Sequence, residues 1–261
     1  MSVTYRAFPQ FNRTSVDDLV SSTSKLSPQS AQTAFGSDRF PDRCVRELAA
    51  ERALPIKEIV ETFEMFERVR EQVRGEVIVD LCAGHGLLGI LYAAFERSVE
   101  LVLLLDRSTP ANHARVMKAI VKAAPWVGEK VRRIDADVQA WSGPLDEHIR
   151  NRRAAFVSAH ACGVLTDSCL EVALARSSPV AVMPCCYPWR ACPGPPSIKR
   201  ALGVEFALDI DRTYRMEQRG FSVLWREIPE AITPKNRILI GKPSPGTGQI
   251  ETTAGEARRA G

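Results

Sequence analysis

No apolar run in this 261-residue chain reaches the about 18 residues that a helix needs to cross a bilayer, and nothing near its start has the shape of a secretory leader. No membrane contact is therefore expected, and the reading is of a cytoplasmic protein. Cysteine supplies no disulfide framework. The seven cysteines (Cys44, Cys82, Cys162, Cys169, Cys185, Cys186 and Cys192) are odd in number and form neither a C-x-x-C pair nor a paired knuckle. Reduced thiols are expected, with no structural metal. Cys82, His85, His160, Cys162, Cys185 and Cys186 are zinc ligands by chemistry. Their spacing, however, is that of small hydrophobic cysteines at strand ends. No internal repeat is present. Charge of one sign is also scarce: 35 basic against 31 acidic residues leave a net +4, which permits a nucleic-acid partner without requiring one. With 45% hydrophobic and 25% charged residues, the composition is that of a globular domain with one sizeable core.

The sequence is organised around Glu76-Val-Ile-Val-Asp80-Leu-Cys82-Ala-Gly84-His85-Gly86-Leu-Leu-Gly89. An apolar, β-branched run predicts a buried parallel strand. It breaks into glycines and resumes as a helical run to Phe95, the opening unit of a doubly wound sheet. Gly84, Gly86 and Gly89 fit G-x-G-x-x-G, a pattern shared by many nucleotide sites. Asp80 discriminates among them. A carboxylate just before the glycines repels a pyrophosphate, which needs the following helix N-terminus for its negative charge. It matches the ammonium and sulfonium end of S-adenosylmethionine, which has no phosphate. The reading is a methyl-donor site, with Cys82, Gly84, His85 and Gly86 as the contacts of the turn.

The rest of the chain extends the same alternation. Leu101–Asp106 is an apolar strand ending in an acid 22 residues after Gly84, the offset at which an acid meets a ribose diol. Pro110 to Ala124 reads as helix and Val131 to Asp137 as a third strand. Either Asp135 or Asp137 is placed to accept from an adenine amino group, with Asp137 foremost. Leu145 to Arg152 is a short helix, Ala154–Ala159 a fourth strand, and Val180–Met183 a fifth. A helix over Asp209–Gly220 and strands over Phe221–Ile228 and Arg237–Ile240 complete an α/β domain with a mainly parallel seven-stranded sheet between two helical layers.

Ligands of such sheets bind beyond the carboxyl ends of the strands, where every suggestive residue falls. His160 tops the fourth strand and is the candidate base for a hydroxyl acceptor, because its ordinary pKa lies near neutrality. Asp167 either orients the His160 ring or is a first-turn acid favoured by the helix dipole. Tyr187, Trp189 and Arg190 precede a proline-stiffened loop and are candidates for stacking on a planar acceptor such as a base. Basic residues between Lys118 and Arg153 are candidates for a positive rim.

His160-Ala-Cys-Gly-Val-Leu-Thr-Asp167 and Met183-Pro-Cys-Cys-Tyr187, with Asp80-Leu-Cys-Ala-Gly-His-Gly-Leu-Leu-Gly89 before them and Thr233-Pro-Lys-Asn236 after, resemble one methyltransferase-domain family. That family groups the C-terminal domain of the glutathione S-transferase C-terminal-domain-containing protein, methyltransferase-like proteins and a tRNA acceptor-stem ribose methyltransferase. The resemblance covers about residues 75–242 and implies a three-layer, Rossmann-like class I methyltransferase fold. It further implies S-adenosylmethionine binding by Asp80, Gly84, Gly86 and Asp106. The resemblance does not fix the acceptor; RNA, tRNA foremost, is the leading one, with a small molecule or protein behind it. A donor- or RNA-binding domain without turnover is the alternative, and a nicotinamide oxidoreductase is disfavoured by Asp80. The expected organisation is a flexible segment over 1–40, a helical extension over 41–74, the methyltransferase domain over 75–242 and a disordered tail over 243–261. Within the extension, Ile56, Ile59, Val60, Phe63, Phe66 and Val69 recur at helical spacing and predict a helix that packs beside the sheet or shields the cleft.

Overall fold

Period-two burial along the central strands determines how the layers assemble. In a computed structural model describing residues 3–140, 142–191 and 195–244, Val77, Val79 and Leu81 of β1 (Val77–Leu81) join one core cluster while Ile78 joins another. The neighbouring strands β2 (Leu101–Asp106), β4 (Ala154–Ala159) and β5 (Val180–Met183) are likewise apolar on both faces. A strand buried on both sides must be covered on both sides, and helices on each face satisfy this. The described residues form a seven-stranded sheet in the order β3-β2-β1-β4-β5-β7-β6, where β3 is Val131–Asp135, β6 Phe221–Glu227 and β7 Arg237–Pro243. Only β7 runs antiparallel to its neighbours, inserted between β5 and β6. Strand β1 pairs with both β2 and β4, so the chain reverses its direction of winding there and leaves a crevice above the carboxyl ends.

The helices in chain order are α1 (Asp17–Val20), α2 (Pro28–Ala34), α3 (Phe40–Ala50), α4 (Ile56–Val69), α5 (Leu87–Phe95), α6 (His113–Ala123), α7 (Val127–Lys130), α8 (Ser142–Ile149), α9 (Val164–Leu174), α10 (Pro196–Leu202) and α11 (Val204–Gln218). Helices α3 to α7 pack on the face reached by Ile78, whereas α8, α9 and Met216 of α11 cover the other. Boundaries differ modestly from those read in the sequence. Strand β3 stops at Asp135, α11 begins at Val204, and β7 extends to Pro243. Cys192 and the expected disordered tail beyond residue 244 lie outside the described residues.

The largest departure concerns residues 3–40, which are folded onto the domain rather than flexible. Phe8, Phe11 and Phe35 are buried, and Phe8 packs with its ring centroid 5.0 Å from Phe35 and 5.4 Å from Phe63 of α4. The buried residues are scattered singly or in pairs through a mainly polar stretch, so no local periodicity announces them. The segment is held by tertiary contact instead. Glu64, fully buried on α4, accepts from the backbone N–H groups of Arg6, Ala7 and Phe8 and pairs with Arg68. Those donors have no alternative acceptor once water is excluded. Glu64→Ala is therefore expected to destabilise the protein by ~3–5 kcal/mol, because it leaves buried Arg68 without its counter-charge and several amides without an acceptor. Limited proteolysis should then cut first within residues 3–40. A cleavage pattern and unfolding midpoint equal to those of the parent would remove Glu64 as the anchor.

Candidate active site

Two glycines create the floor of the crevice. Gly86 has φ +84°, and a Cβ there would lie 2.6 Å from Leu104 Cδ1; at Gly89 it would lie 2.6 Å from Leu104 Cδ2 and 3.0 Å from the Asp80 Cβ. Only glycine accepts the left-handed turn and the close approach of α5 to β1 and β2. That approach brings the Gly89 N–H to 2.9 Å from Asp80 Oδ2. Asp80 shares the parity of Ile78 and faces the α4–α5 layer, where it is 2% exposed. Burial pushes its carboxyl pKa up to about 8; the Gly89 hydrogen bond opposes this, Asp106 adds to it and Arg133 opposes it. Among the described residues Asp80 forms no salt bridge, and its side chain is held by the Gly89 N–H, so a ligand cation in the cleft would meet a carboxyl without a counter-charge.

The cleft above has a volume of about 380 Å³. Asp80, Cys82, Gly84, His85 and Asp106 line it, together with Ala136, Val138 and Leu165. Asp106 accepts at 2.7 Å from the backbone N–H of Gly84 and at 2.7 Å from its neighbour Arg107, which fixes both oxygens at the tip of β2. Arg133, read in the sequence as part of a basic rim, instead turns inward. It donates to the carbonyls of Gly84 and Ser108 at 2.8 and 2.7 Å and braces the glycine turn. Other members of that rim, Lys118, Lys122 and Arg153, pair with Glu51, Glu47 and Glu76. Cys82, at φ +55°, sits 3.9 Å sulfur to sulfur from buried Cys169, and that hydrogen bond holds its thiol pKa below the ordinary value.

At the end expected to hold the adenine, Asp137 turns away from the cleft. Ala136 and Val138 line the cleft, and Asp137 between them does not; it accepts from Arg107 at 2.7 Å and from the Gln139 amide at 2.8 Å. Strand residues alternate in direction, so once β3 ends at Asp135 the following turn decides which side chain enters. Asp135 also remains outside, held by Thr109 and Arg133. The wall is apolar there.

His160 stands at φ +65°, with its backbone N–H donating to Met183 at 3.1 Å, and it lines the cleft beside Ala159 and Cys162. Its partner is Glu61 of α4, 3.3 Å from Nε2. Burial alone would lower the imidazole pKa; the hydrogen bond and charge of Glu61, with the charge of Glu58, outweigh it and hold the pKa above its usual value. Asp167 does not orient the ring. It pairs with Arg212 at 3.1 Å and with Arg215, and both arginines come from α11. Arg212 is fully buried and also meets Asp209, which accepts from Tyr187 at 3.0 Å and from Arg237 at 3.0 Å. Asp167 is thus a brace between α9 and α11.

His85 has its pKa lowered to about 4, chiefly by burial and then by the charges of His160, His113 and Arg133. It is neutral near pH 7. Its 3.6 Å approach to Glu58 is accordingly not an ion pair, and its Nδ1 accepts from the Leu87 N–H at 3.1 Å. The Tyr187 ring lies under the guanidinium groups of Arg212 and Arg237, 5.8 and 5.9 Å from its centroid, and so anchors the loop. Trp189 is 48% exposed, with the Lys199 ammonium 4.8 Å from its ring centre, and Arg190 is exposed beside it. Sequence reasoning missed Glu58, Glu61 and Thr62. They look like the polar positions of an amphipathic helix, and only the docking of α4 makes them part of the site.

A family described as a methyltransferase domain matches residues 55–189 of the chain. The glutathione S-transferase C-terminal domain-containing protein of Bos taurus is 25% identical over 206 residues, covering 65% of this chain and 30% of its own length. The chain thus spans less than a third of that curated relative. The methyltransferase domain of bacterial CtHen1-C, a solved structure, gives a TM-score of 0.46 at 13% identity, covering 70% of this chain and 96% of the other. Fibrillarin of Methanococcus jannaschii, a pre-rRNA processing protein, gives 0.43 at 12% identity over 64% and 66%.

Proposed function

This chain belongs to the methyltransferase-domain family, and we propose that it moves a methyl group from S-adenosylmethionine to RNA, with tRNA the foremost acceptor. The observation that carries the donor assignment is Asp80: a buried carboxyl at the head of a glycine turn, with its ionisation opposed by burial, suits a cationic ligand. The donor's ammonium meets that need, since an opposite charge nearby favours the ionised carboxylate. The backbone of Gly84 and Gly86 and the side chains of Cys82 and His85 would surround the methionine part. Asp106 would accept from the ribose hydroxyls with lone pairs its two backbone donors leave free. Ala136, Val138 and Leu165 offer an apolar slot for the adenine ring, and Asp137 lies outside that lining.

Transfer is an in-line displacement. The acceptor's electron pair forms a bond to the methyl carbon while the carbon–sulfur bond breaks and its electrons pass to sulfur, leaving S-adenosylhomocysteine. Orientation of the two reactants supplies most of what the protein contributes, ~7–11 kcal/mol for well-placed partners. For a hydroxyl acceptor a proton must also leave, and His160, held by Glu61 at the cleft wall, is positioned to take it. RNA as acceptor is supported by exposed Trp189 and Arg190 on the loop after β5, which together offer a stacking face and a charge for phosphate.

The test is calorimetric titration with S-adenosylmethionine and S-adenosylhomocysteine, followed by transfer of labelled methyl groups to bulk cellular RNA. Micromolar donor binding and ribonuclease-sensitive label are the expected results. Label in protein or small molecules instead would move the acceptor, and donor binding with no transfer at all would favour a silent binding domain. Affinity for a nicotinamide dinucleotide with none for S-adenosylmethionine would overturn the reading.

A further inference from the structure

The turns that follow β4 and β5 converge on three thiols. Cys162 and Cys185 lie 3.2 Å apart sulfur to sulfur, Cys162 and Cys186 3.3 Å, and Cys185 and Cys186 3.7 Å. Cys162 and Cys186 are exposed and Cys185 is half-buried. Their chain separation hides this arrangement, since one ligand comes from one strand end and two from the next. The bond from the His160 N–H to Met183 keeps the two ends in register beyond the sheet itself. Gly163, at φ +58°, lets the chain turn away immediately after Cys162 into α9.

We propose that Cys162, Cys185 and Cys186 form a binding site for a thiophilic divalent cation of the zinc type, with the fourth position filled from solvent or by an exogenous ligand. A zinc–thiolate bond is about 2.3 Å, so a tetrahedral site separates its sulfurs by ~3.8 Å. The observed triangle is slightly smaller, with a circumradius of ~2.0 Å, so a cation bonded to all three sulfurs would stand ~1.2 Å out of their plane. The same sulfurs are well beyond the about 2.05 Å of a disulfide. Sulfur is the ligand type that selects zinc over magnesium or calcium. Binding replaces the thiol protons, which pass to solvent, and involves no change of oxidation state. The cation would cross-link the turn that carries His160 to the turn that leads to Tyr187, two cleft-side segments that backbone bonds alone join at one point. Cys162 also lines the cleft, so the cation would stand at its edge, although none of the three thiols is among the residues assigned to the donor.

The experiment is a titration of the full chain, reduced and freed of metal, with Co²⁺ as a spectroscopic probe and then with Zn²⁺. One equivalent of Co²⁺ with thiolate charge-transfer and tetrahedral ligand-field bands is expected, displaced by Zn²⁺. Cys162→Ser and Cys186→Ser should each weaken binding at least tenfold, whereas Cys44→Ala, in the core of α3, should retain the spectrum. Zinc should also raise the melting temperature of the parent and not of those two serine variants. A reduced chain with all seven thiols titratable that takes up neither metal overturns the proposal. So does a cobalt spectrum that persists in both serine variants, or a Cys162–Cys185 disulfide formed on oxidation of a chain that binds no metal when reduced.

Discussion

Asp80→Asn is expected to lower affinity for S-adenosylmethionine by ~10²–10⁴-fold while making the donor-free protein more stable at alkaline pH. The first effect follows from removing one partner of a buried charge pair, a loss of ~3–5 kcal/mol. The second follows from linkage. The carboxyl pKa is raised from 3.8 to about 8 in the folded protein, so between these values the folded state holds a proton that the unfolded state has lost. Stability therefore falls as pH rises through that window and levels off above about pH 8. Asparagine keeps an oxygen for the Gly89 N–H and has no charge to bury. Above that window the variant should melt ~2–8 °C higher, corresponding to ~1–2 kcal/mol in a domain of this size. The same logic makes donor affinity in the parent rise with pH up to the carboxyl pKa. Calorimetry and thermal melts across that range measure both. A variant that binds the donor as tightly as the parent would remove Asp80 from the site.

His160→Ala is expected to reduce kcat by ~10²–10⁴-fold, the usual contribution of a placed proton acceptor, with the donor Kd altered by no more than a few fold. The separation arises because His160 lies at the wall towards β4 and α4, whereas Asp80, Gly84 and Asp106 stand at β1 and β2. Glu61→Gln should produce a smaller fall in kcat, because glutamine can still meet the ring at 3.3 Å but brings no charge to balance an imidazolium. Glu61→Ala should approach the His160→Ala value. Asp167→Asn should leave kcat near that of the parent and instead loosen α11, since its partners are Arg212 and Arg215. Single-turnover kinetics with saturating donor reads these differences. Full turnover in His160→Ala would leave orientation as the chain's whole contribution to the chemical step.

Much of this arrangement was legible in the order of residues, and the legible part shares one property. The β1–turn–α5 unit is a local object: a continuous apolar run, then glycines where φ must be positive, then a helical run. Asp80 and Asp106 could be placed because each ends a strand, and strand ends define the crevice of a doubly wound sheet. Asp137 shows where this reasoning stops. Strand β3 ends at Asp135, two residues short of Asp137, so the turn beyond the strand rather than strand alternation directs that side chain, here to Arg107. The polar stretch before residue 40 shows the same limit for order: single aromatic residues without periodicity carry no local signal, and a carboxylate far along the chain supplies their amides with an acceptor.

By itself the sequence determined the sheet, its glycine turn and the acids at the tips of its first two strands, because periodicity, backbone sterics and strand ends are properties of neighbouring residues. Only the tertiary structure decided that Glu61 rather than Asp167 holds His160, that Arg133 braces the turn, and that three cysteines from two strand ends meet. Each of those depends on how α4, α11 or the loop after β5 docks on the sheet, and docking is settled by packing across the whole chain, which no short window of residues encodes.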